Sequence, residues 1–178
     1  MQFVSTRPTR HRALRHALGQ FATGVTVVTL DSGTSGPVGM TMNSFGSVSL
    51  DPPLVLFSID KSAYSFAAFT RARGFAVNVL RHDQQALADR FARSSTDKWA
   101  GVAFSRGYEG APLIDDALAH FECAIWATYD GGDHLIFVCR VIRFTARDDE
   151  TAPLLFYRGR YTTIPAHTDS TRPAGEPS

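Results

Sequence analysis

The sequence lacks most of the features that mark a secreted, membrane or disulfide-stabilised protein. Its 178 residues include only two cysteines, Cys123 and Cys139, and each lies inside an apolar run. Such cysteines are usually small buried side chains, so a disulfide between them is not expected. No apolar run is long enough to span a membrane, and no secretory leader is visible at the N-terminus. We therefore expect a cytoplasmic protein that does not bind membranes.

Charge and motif content argue against several further classes. The formal net charge is only +1, and the basic segment RPTRHRALRH is short, so nucleic-acid binding is not predicted. The sequence has no G-x-G-x-x-G after a strand, no G-x-S-x-G and no H-E-x-x-H. Its histidines show no metal-ligand spacing relative to carboxylates or cysteines. The sequence therefore gives no support for a Rossmann dinucleotide site, a serine hydrolase or a zinc enzyme. No bound metal is expected.

The chain is long enough for one domain and too short for two. We place this domain at residues 9–165. The residues after it are rich in Pro, Gly, Ser and Thr, which predicts a flexible tail over residues 166–178. Residues 1–8 are predicted to form a second flexible tail.

Apolar residues at helical spacing predict three helices. The first covers Thr9–Gln20 and has an apolar side formed by Leu14, Ala17, Leu18 and Phe21. The second has Ser62 as its N-cap, ends at Gly74, and has an inner face formed by Ala63, Phe66 and Ala67. The third has Asp83 as its N-cap and an apolar face formed by Ala86, Leu87 and Phe91.

Strand patterns occupy most of the remaining chain. The segments LAHFECAIWATYD and HLIFVCRVIRFTARD, joined by DGGD, predict a long hairpin, and a second strand pair is predicted around Arg158 and Gly159. The segment VGMTMNSFGSVSL alternates only in pieces, which predicts a strand that bends or breaks near Asn43. Many strands, few helices and several hairpins predict a mainly β fold, an antiparallel barrel.

Polar residues crowd the predicted strand break. They are Thr41, Asn43, Ser44, Ser47 and Ser49, and a strand of buried character follows them. Hydroxyls, amides and free backbone N–H groups suit a planar heteroaromatic ring or a phosphate. A turn held by local side-chain-to-backbone bonds accounts for the same residues. The residues alone leave both interpretations open.

Six segments, taken in order, resemble the flavin reductase family. They are FATGVTVVT, VGMTMNSFGSVSLDPPLVLFSID, GFAVNVL, DKWAG, DGGDHLIFVCRV and LLFYRGRY. The resemblance extends from about Arg12 to about Ile164 and is closest to the reductase components of two-component flavin-dependent monooxygenases. It implies the FMN-binding split barrel, an antiparallel Greek-key barrel with a few short flanking helices. It also implies a homodimer that transfers hydride from NADH or NADPH to FMN or FAD and supplies reduced flavin to a partner monooxygenase.

The same resemblance implies which residues contact the flavin. The strand along the flavin ring corresponds to Val38, Gly39, Met40, Thr41, Asn43 and Ser44. Contacts near the ribityl chain correspond to Ser58, Ile59 and Asp60, those near the phosphate to Tyr64 and Ser65, and two further contacts to Asn78 and Val79. This chain departs from the family at Met42, where a small residue is commoner, and at Ser58, where relatives often have Cys. Neither departure is expected to abolish flavin binding.

For the nicotinamide, the resemblance implies that His134 is catalytic and that Phe156, Tyr157, Arg158 and Gly159 contact the reduced dinucleotide. Considered without it, His134 better suits a turn residue that caps backbone groups than a catalytic residue. Arg158 suits either a phosphate ligand or a solvated turn cation. Lys98 and Trp99 suit either a clamp on a ligand or the anchor of a docked loop.

Two other functions of the same fold stay open. One is a flavoprotein that holds FMN tightly and oxidises a small substrate such as a pyridoxine phosphate, although that chemistry would require a denser set of Arg and Lys residues for the substrate phosphate than the sequence shows. The other is a flavin-binding barrel without catalysis, against which His134 and the FYRG segment argue.

Overall fold

The computed structural model describes residues 7–33, 35–95 and 97–164. Residues 1–6 and 166–178 of the predicted tails lie outside them, and residues 7 and 8 belong to the first helix. The strands are β1 (Thr23–Gly24), β2 (Thr26–Asp31), β3 (Pro37–Met42), β4 (Gly46–Leu50), β5 (Pro53–Asp60), β6 (Gly74–Val79), β7 (Phe104–Arg106), β8 (Pro112–Ile114), β9 (Ala119–Gly131), β10 (His134–Ala146), β11 (Leu155–Tyr157) and β12 (Arg160–Thr162). The α-helices of the described residues are α1 (Arg7–Leu18), α2 (Phe66–Arg71) and α3 (Gln85–Ala92).

Seven antiparallel strands form the main sheet, in the order β3-β2-β6-β9-β10-β5-β4. Its edge strands, β3 and β4, are consecutive in the chain and are separated only by Asn43, Ser44 and Phe45. Four residue steps span at most about 14 Å, so the sheet must curl until its edges approach each other. The Ser44 hydroxyl donates to the Ser58 carbonyl at 3.2 Å and accepts from the Ser58 N–H at 3.0 Å. We call this link, residues 43–45, the seam of the barrel; it lies at the predicted strand break.

Aromatic side chains fill the barrel. Along β5 every second residue points inward, so that Val55, Phe57 and Ile59 are buried. The Phe57 ring stacks on Phe137 at 5.2 Å and meets the edge of Phe75 at 5.2 Å. A second apolar cluster lies beneath α3 and consists of Val25, Val27, Leu80, Ala88, Phe91, Ile114 and Leu154. The two clusters bury opposite faces of β2, because Val28 belongs to the first and Val27 to the second.

Both predicted strand pairs are confirmed, whereas the short pair β7–β8 was not predicted. The long hairpin is β9–β10, and the last strand pair is β11–β12. Both cysteines are buried and free, as expected. Within the described residues, no helix is both long and apolar enough to cross a bilayer, and no cluster of three metal-ligating side chains is present.

The predicted boundaries of the second helix are wrong. Ser62 does not cap it, because its N–H and hydroxyl both donate to the Asp60 carboxylate, at 2.7 and 2.6 Å, and form a turn before the helix. Gly74 does not end it but begins β6, where a Cβ would lie 2.7 Å from the Tyr108 ring. Ala67, predicted to face inward, is exposed, and Phe69 fills the interior instead.

The predicted start of the third helix is also wrong. Asp83 does not cap it, because its carboxylate accepts two bonds from Arg81, at 2.9 and 2.6 Å, beside a 3₁₀ turn at His82–Gln84. The α-helix begins only at Gln85, and its buried face contains Ala88 and Phe91. Ala86, predicted to be on that face, is exposed. The first helix begins at Arg7 rather than Thr9, and its predicted apolar side is exposed.

Candidate functional site

A cleft of about 1150 Å³ opens beside β3. The first wall is β3, with Val38, Gly39, Met40 and Thr41. The second wall is α2 with the residues before it, including Ala63, Tyr64, Ser65, Ala68 and Arg71. The third wall is the chain that follows α3, including Arg93, Ser94, Ser95, Lys98 and Trp99. Three chain segments that are distant in sequence therefore form one concave surface.

The third wall is anchored by aromatic and cationic side chains. The Trp99 ring meets the edges of Phe91 at 4.8 Å and Phe104 at 4.9 Å. The Lys98 ammonium donates to the carbonyls of Phe91 at 3.1 Å and Gly39 at 3.4 Å, and burial lowers the pKa of Lys98. Arg90, which lies on α3, donates to the Ala100 carbonyl at 2.7 Å. This geometry favours the interpretation of Lys98 and Trp99 as anchors of a docked loop.

Gly39 allows the first and third walls to approach each other. A Cβ on Gly39 would lie 2.6 Å from Cε1 of Phe91 and 3.3 Å from the Trp99 ring. Real Cβ atoms do not approach carbon this closely, so any larger residue must displace the ring. The Phe91 side chain is fully buried, and its displacement would move α3 and the loop attached to it. The absence of a side chain at residue 39 therefore sets the shape of the cleft.

The cleft combines the apolar side chains of Val38 and Met40 with a cationic, hydroxyl-rich rim. Arg71 and Arg93 are exposed on the rim, and the serines beside them are Ser65, Ser94 and Ser95. The acidic Asp31, which also lines the cleft, is paired with Arg106 and accepts the Gly33 N–H at 2.8 Å. The Thr41 hydroxyl donates to the Ala88 carbonyl at 2.7 Å, which leaves its lone pairs to accept from a ligand. Such a donor set fits a planar ligand that carries a phosphate.

The structure brings six of the predicted flavin residues into this cleft: Val38, Gly39, Met40, Thr41, Tyr64 and Ser65. Asn43 and Ser44 lie at the seam, where Asn43 is exposed and Ser44 bonds to Ser58. Asp60 begins the turn after β5, and hydrogen bonds from Ser62 hold the pKa of Asp60 below its usual value. Ile59 points into the barrel core and is 1% exposed.

Asn78 and Val79 lie away from the cleft. Asn78 is fully buried, and its amide group donates to the Val27 carbonyl at 2.9 Å and accepts the Ile114 N–H at 2.8 Å. Its polar atoms thus join β2, β6 and β8. Val79 is half-buried and pairs with Thr26 and Ala119 in the sheet. The structure does not bring the Asn78 side chain to the other predicted flavin residues.

The residues predicted to contact the nicotinamide lie on two other surfaces. His134 begins β10 opposite Asp60, and its Nδ1 lies 2.7 Å from a carboxylate oxygen of Asp133. Phe156 and Tyr157 lie on β11, and Arg158 and Gly159 form the turn to β12. The Arg158 guanidinium donates twice to the Gln20 side chain, at 2.9 and 2.6 Å. Neither group lines the cleft of a single chain.

Sequence reasoning missed the cationic rim of the cleft. Arg71 lies within the second predicted helix, and Arg93 and Ser94 lie at the end of the third, but neither segment matches a local motif. Only the fold brings both helix ends beside β3. An arginine near the end of each predicted helix was the available signal, and it is too common on surfaces to indicate a site.

Comparison with known proteins gives the family. The family model described as flavin reductase like domain matches residues 18–165. The flavin-dependent monooxygenase reductase subunit HsaB of Rhodococcus jostii is 44% identical, covering 92% of this chain and 82% of that protein. The FMN reductase (NADH) SmoA of Agrobacterium fabrum is 47% identical, covering 84% of each chain. The solved NADH:FAD oxidoreductase SgcE6 of Streptomyces globisporus, in complex with NAD and FAD fragments, has a TM-score of 0.85 at 44% identity, covering 95% of this chain and all of that one.

The fold and its structural neighbours define the class, a mainly β protein with the split-barrel fold of the flavin reductases. Within this class, the chain belongs to the flavin reductase-like domain family. The predicted fold class and the predicted family are both confirmed.

Proposed function

We propose that this chain takes a hydride from NADH, delivers it to FMN or FAD, and supplies the reduced flavin to a separate flavin-dependent monooxygenase. The observation that carries the proposal is the cleft beside β3, in a chain of the flavin reductase-like family. The names of the relatives agree, because HsaB is a monooxygenase reductase subunit, SmoA an NADH-dependent FMN reductase and SgcE6 an NADH:FAD oxidoreductase.

The cleft residues fit a flavin. Val38 and Met40 offer an apolar surface to the flat ring, and the free lone pairs of Thr41 suit a ring N–H. Ser65 with Arg71 and Arg93 suits the phosphate end, where charge-assisted bonds are strongest. When bound, the flavin supplies the hydride acceptor; the protein contributes orientation of the two rings rather than a strong acid or base.

The nicotinamide contacts are proposed to be completed by a homodimer. In one chain, His134 and residues 156–159 lie outside the cleft. Large apolar side chains are exposed on the long hairpin and on β4, namely Trp126, Tyr129, Ile142, Phe144 and Leu50. Exposed apolar surface of this kind indicates an interface, and a symmetric dimer is the commonest way to cover it. In such a dimer, His134 would present its Nε2 to the nicotinamide, because Asp133 engages Nδ1. We further propose a cytoplasmic location, where the two free thiols stay reduced.

The test follows NADH oxidation by the purified protein without flavin, then with FMN, then with FAD. Oxidation only upon addition of flavin, saturating with its concentration, supports a diffusible-flavin reductase and ranks the two flavins. No oxidation under any condition, with flavin still bound as judged by fluorescence quenching, would point to a tight-binding flavoprotein or a flavin-binding barrel instead.

A matched pair of variants tests the cleft itself. Arg71 lines the cleft, whereas Arg73, two residues away, is exposed outside it and pairs with Glu109. We expect Arg71→Gln to weaken flavin binding several-fold and Arg73→Gln to leave it unchanged. Equal effects of the two substitutions would mean that the flavin phosphate lies elsewhere.

A further inference from the structure

The helix α1 has little support from the described part of its own chain. All its side chains from Arg10 to Leu18 are exposed, including Leu14 at 57% and Leu18 at 64%. Phe21, one turn further on, is 76% exposed. Leu14 and Leu18 lie one turn apart on the same side of α1, and Phe21 follows the end of the helix. An isolated helix of this length is at best marginally stable in water, so α1 is expected to be stabilised by contacts beyond the described part of its own chain.

The positive charge on α1 indicates which charge a complementary surface should carry. The side chains of Arg10, Arg12 and Arg15 are exposed along the helix, and the first acidic residue of the whole sequence is Asp31. The surface that complements α1 should therefore be apolar in part and acidic in part.

The end of β10 and the segment after it have this character. Ile142 and Phe144 are 43% and 70% exposed. Three consecutive exposed acidic residues follow β10: Asp148, Asp149 and Glu150. Asp116 lies beside them, because Arg147 bonds to both Asp116 and Asp149. We call Ile142, Phe144 and residues 148–150 together the acidic patch; Arg147 pairs with Asp149, so Asp148 and Glu150 carry the acidic charge that no ion pair within the described residues offsets.

We propose that α1 of one copy of this chain docks on the acidic patch of a second copy, and that the second copy's α1 docks in the same way in return. The inference rests on the homodimer of the proposed function and names the surface that holds it. A second copy is the occupant that the charges favour, because one chain carries both complementary halves, as a two-fold interface requires.

Docking of α1 on a second copy would also restrain the segment predicted to contact the nicotinamide. The Arg158 N–H donates to the Gly19 carbonyl at 2.9 Å, and the Arg158 side chain donates to Gln20. The turn between β11 and β12 is therefore fastened to the end of α1. A partner that holds α1 thus also holds Arg158.

Charge reversal on each side distinguishes this interface from a dimer held together by a different surface. Variant one is Arg12→Glu with Arg15→Glu, and variant two is Asp148→Lys with Glu150→Lys. At low salt, each variant alone places like charges at both contacts, and we expect its dimer dissociation constant to rise about tenfold. A mixture of the two restores opposite charges at both contacts, so we expect heterodimers of wild-type affinity. Analytical ultracentrifugation measures all three, with Arg12→Gln plus Arg15→Gln as the uncharged control and circular dichroism as the check on folding.

The outcomes are distinct. Rescue by mixing supports the proposal, because only contacts between copies give it. Variants that dimerise like the wild type, or variants that weaken without rescue, overturn the docking while leaving the homodimer and the hydride transfer intact. A wild-type chain that is monomeric at all concentrations overturns both the dimer and the docking, and the NADH assay then decides independently whether the chain is a flavin reductase.

Discussion

Gly39 gives the sharpest prediction for the cleft. Gly39→Ala places a methyl group 2.6 Å from the buried Phe91 ring, so the ring, α3 and the attached loop must move. Overpacking of this kind costs about 1–3 kcal/mol of unfolding free energy. For a chain of this size, that corresponds to a loss of roughly 2–12 °C in Tm. Because the third wall moves with Phe91, flavin affinity should fall as well.

A smaller residue at position 91 should relieve the strain. Phe91→Leu alone is expected to cost about 1–2 kcal/mol from lost ring contacts. Combined with Gly39→Ala, it should cost less than the sum of the two single changes by about 1 kcal/mol, since the methyl group then occupies vacated space. Urea unfolding followed by circular dichroism measures all four proteins, and flavin titration follows the cleft.

Gly24→Ala is the matched control. A Cβ on Gly24 meets no atom within 4 Å, and its backbone is not left-handed. We expect this variant to stay within about 0.5 kcal/mol of the wild type. If Gly39→Ala is as stable as Gly24→Ala, or if the changes at residues 39 and 91 are strictly additive, then Phe91 does not limit the approach of the two walls.

Four further predictions concern the predicted site residues and the buried thiols. Asn78→Ala should lower the unfolding free energy by about 2–4 kcal/mol, because partners on two strands lose their hydrogen bonds, while flavin affinity of the folded protein stays unchanged; a weaker flavin complex at full stability would contradict this structural role. His134→Ala should raise the NADH KM or lower turnover with flavin affinity intact, and an unchanged kcat/KM would remove His134 from the site. Asn43→Ala with Ser44→Ala should weaken flavin binding by about 1–3 kcal/mol, measured alongside stability, and an unaltered affinity would refute the ring contact. Burial raises the pKa of Cys123 from 9.0 to about 12, so the folded protein keeps a proton that the unfolded chain loses. The contribution of Cys123 to stability, taken as the difference between the wild type and Cys123→Ala in denaturant titrations, should therefore be constant below about pH 9 and fall above it; no fall above that pH would mean that Cys123 is not buried.

The sequence predicted the parts of the fold that local patterns determine. The hairpin β9–β10 has two long alternating strands and a glycine-rich turn, and the break at Asn43 follows from interrupted alternation before two prolines. Helix ends were less predictable, because Ser62 and Asp83 have good capping side chains that bond to neighbours in the folded chain instead. Propensity favours a cap at each position, but the tertiary fold selects another partner.

The site was predictable along one wall only. The strand β3 carries a recognisable series of residues, whereas Arg71 and Arg93 join it only because the fold brings two helix ends beside β3. Asn78 shows the converse, since the family resemblance implied a flavin contact, whereas the Asn78 amide bonds to the backbone groups of Val27 and Ile114 inside the protein. Hydrogen-bond partners more than thirty residues away cannot be read from a local pattern.

The short seam has a consequence for how this scaffold can vary. Residues 43–45 join the two edges of the sheet, and two of them are proposed to touch the flavin. An insertion or deletion there would alter ring binding and barrel closure at once, so changes in cofactor preference cannot readily arise by remodelling this segment. The wall after α3 is a loop held by a few anchors, and its length is free of that constraint. Diversification among flavins should therefore accumulate in the loop, while the seam keeps a fixed length.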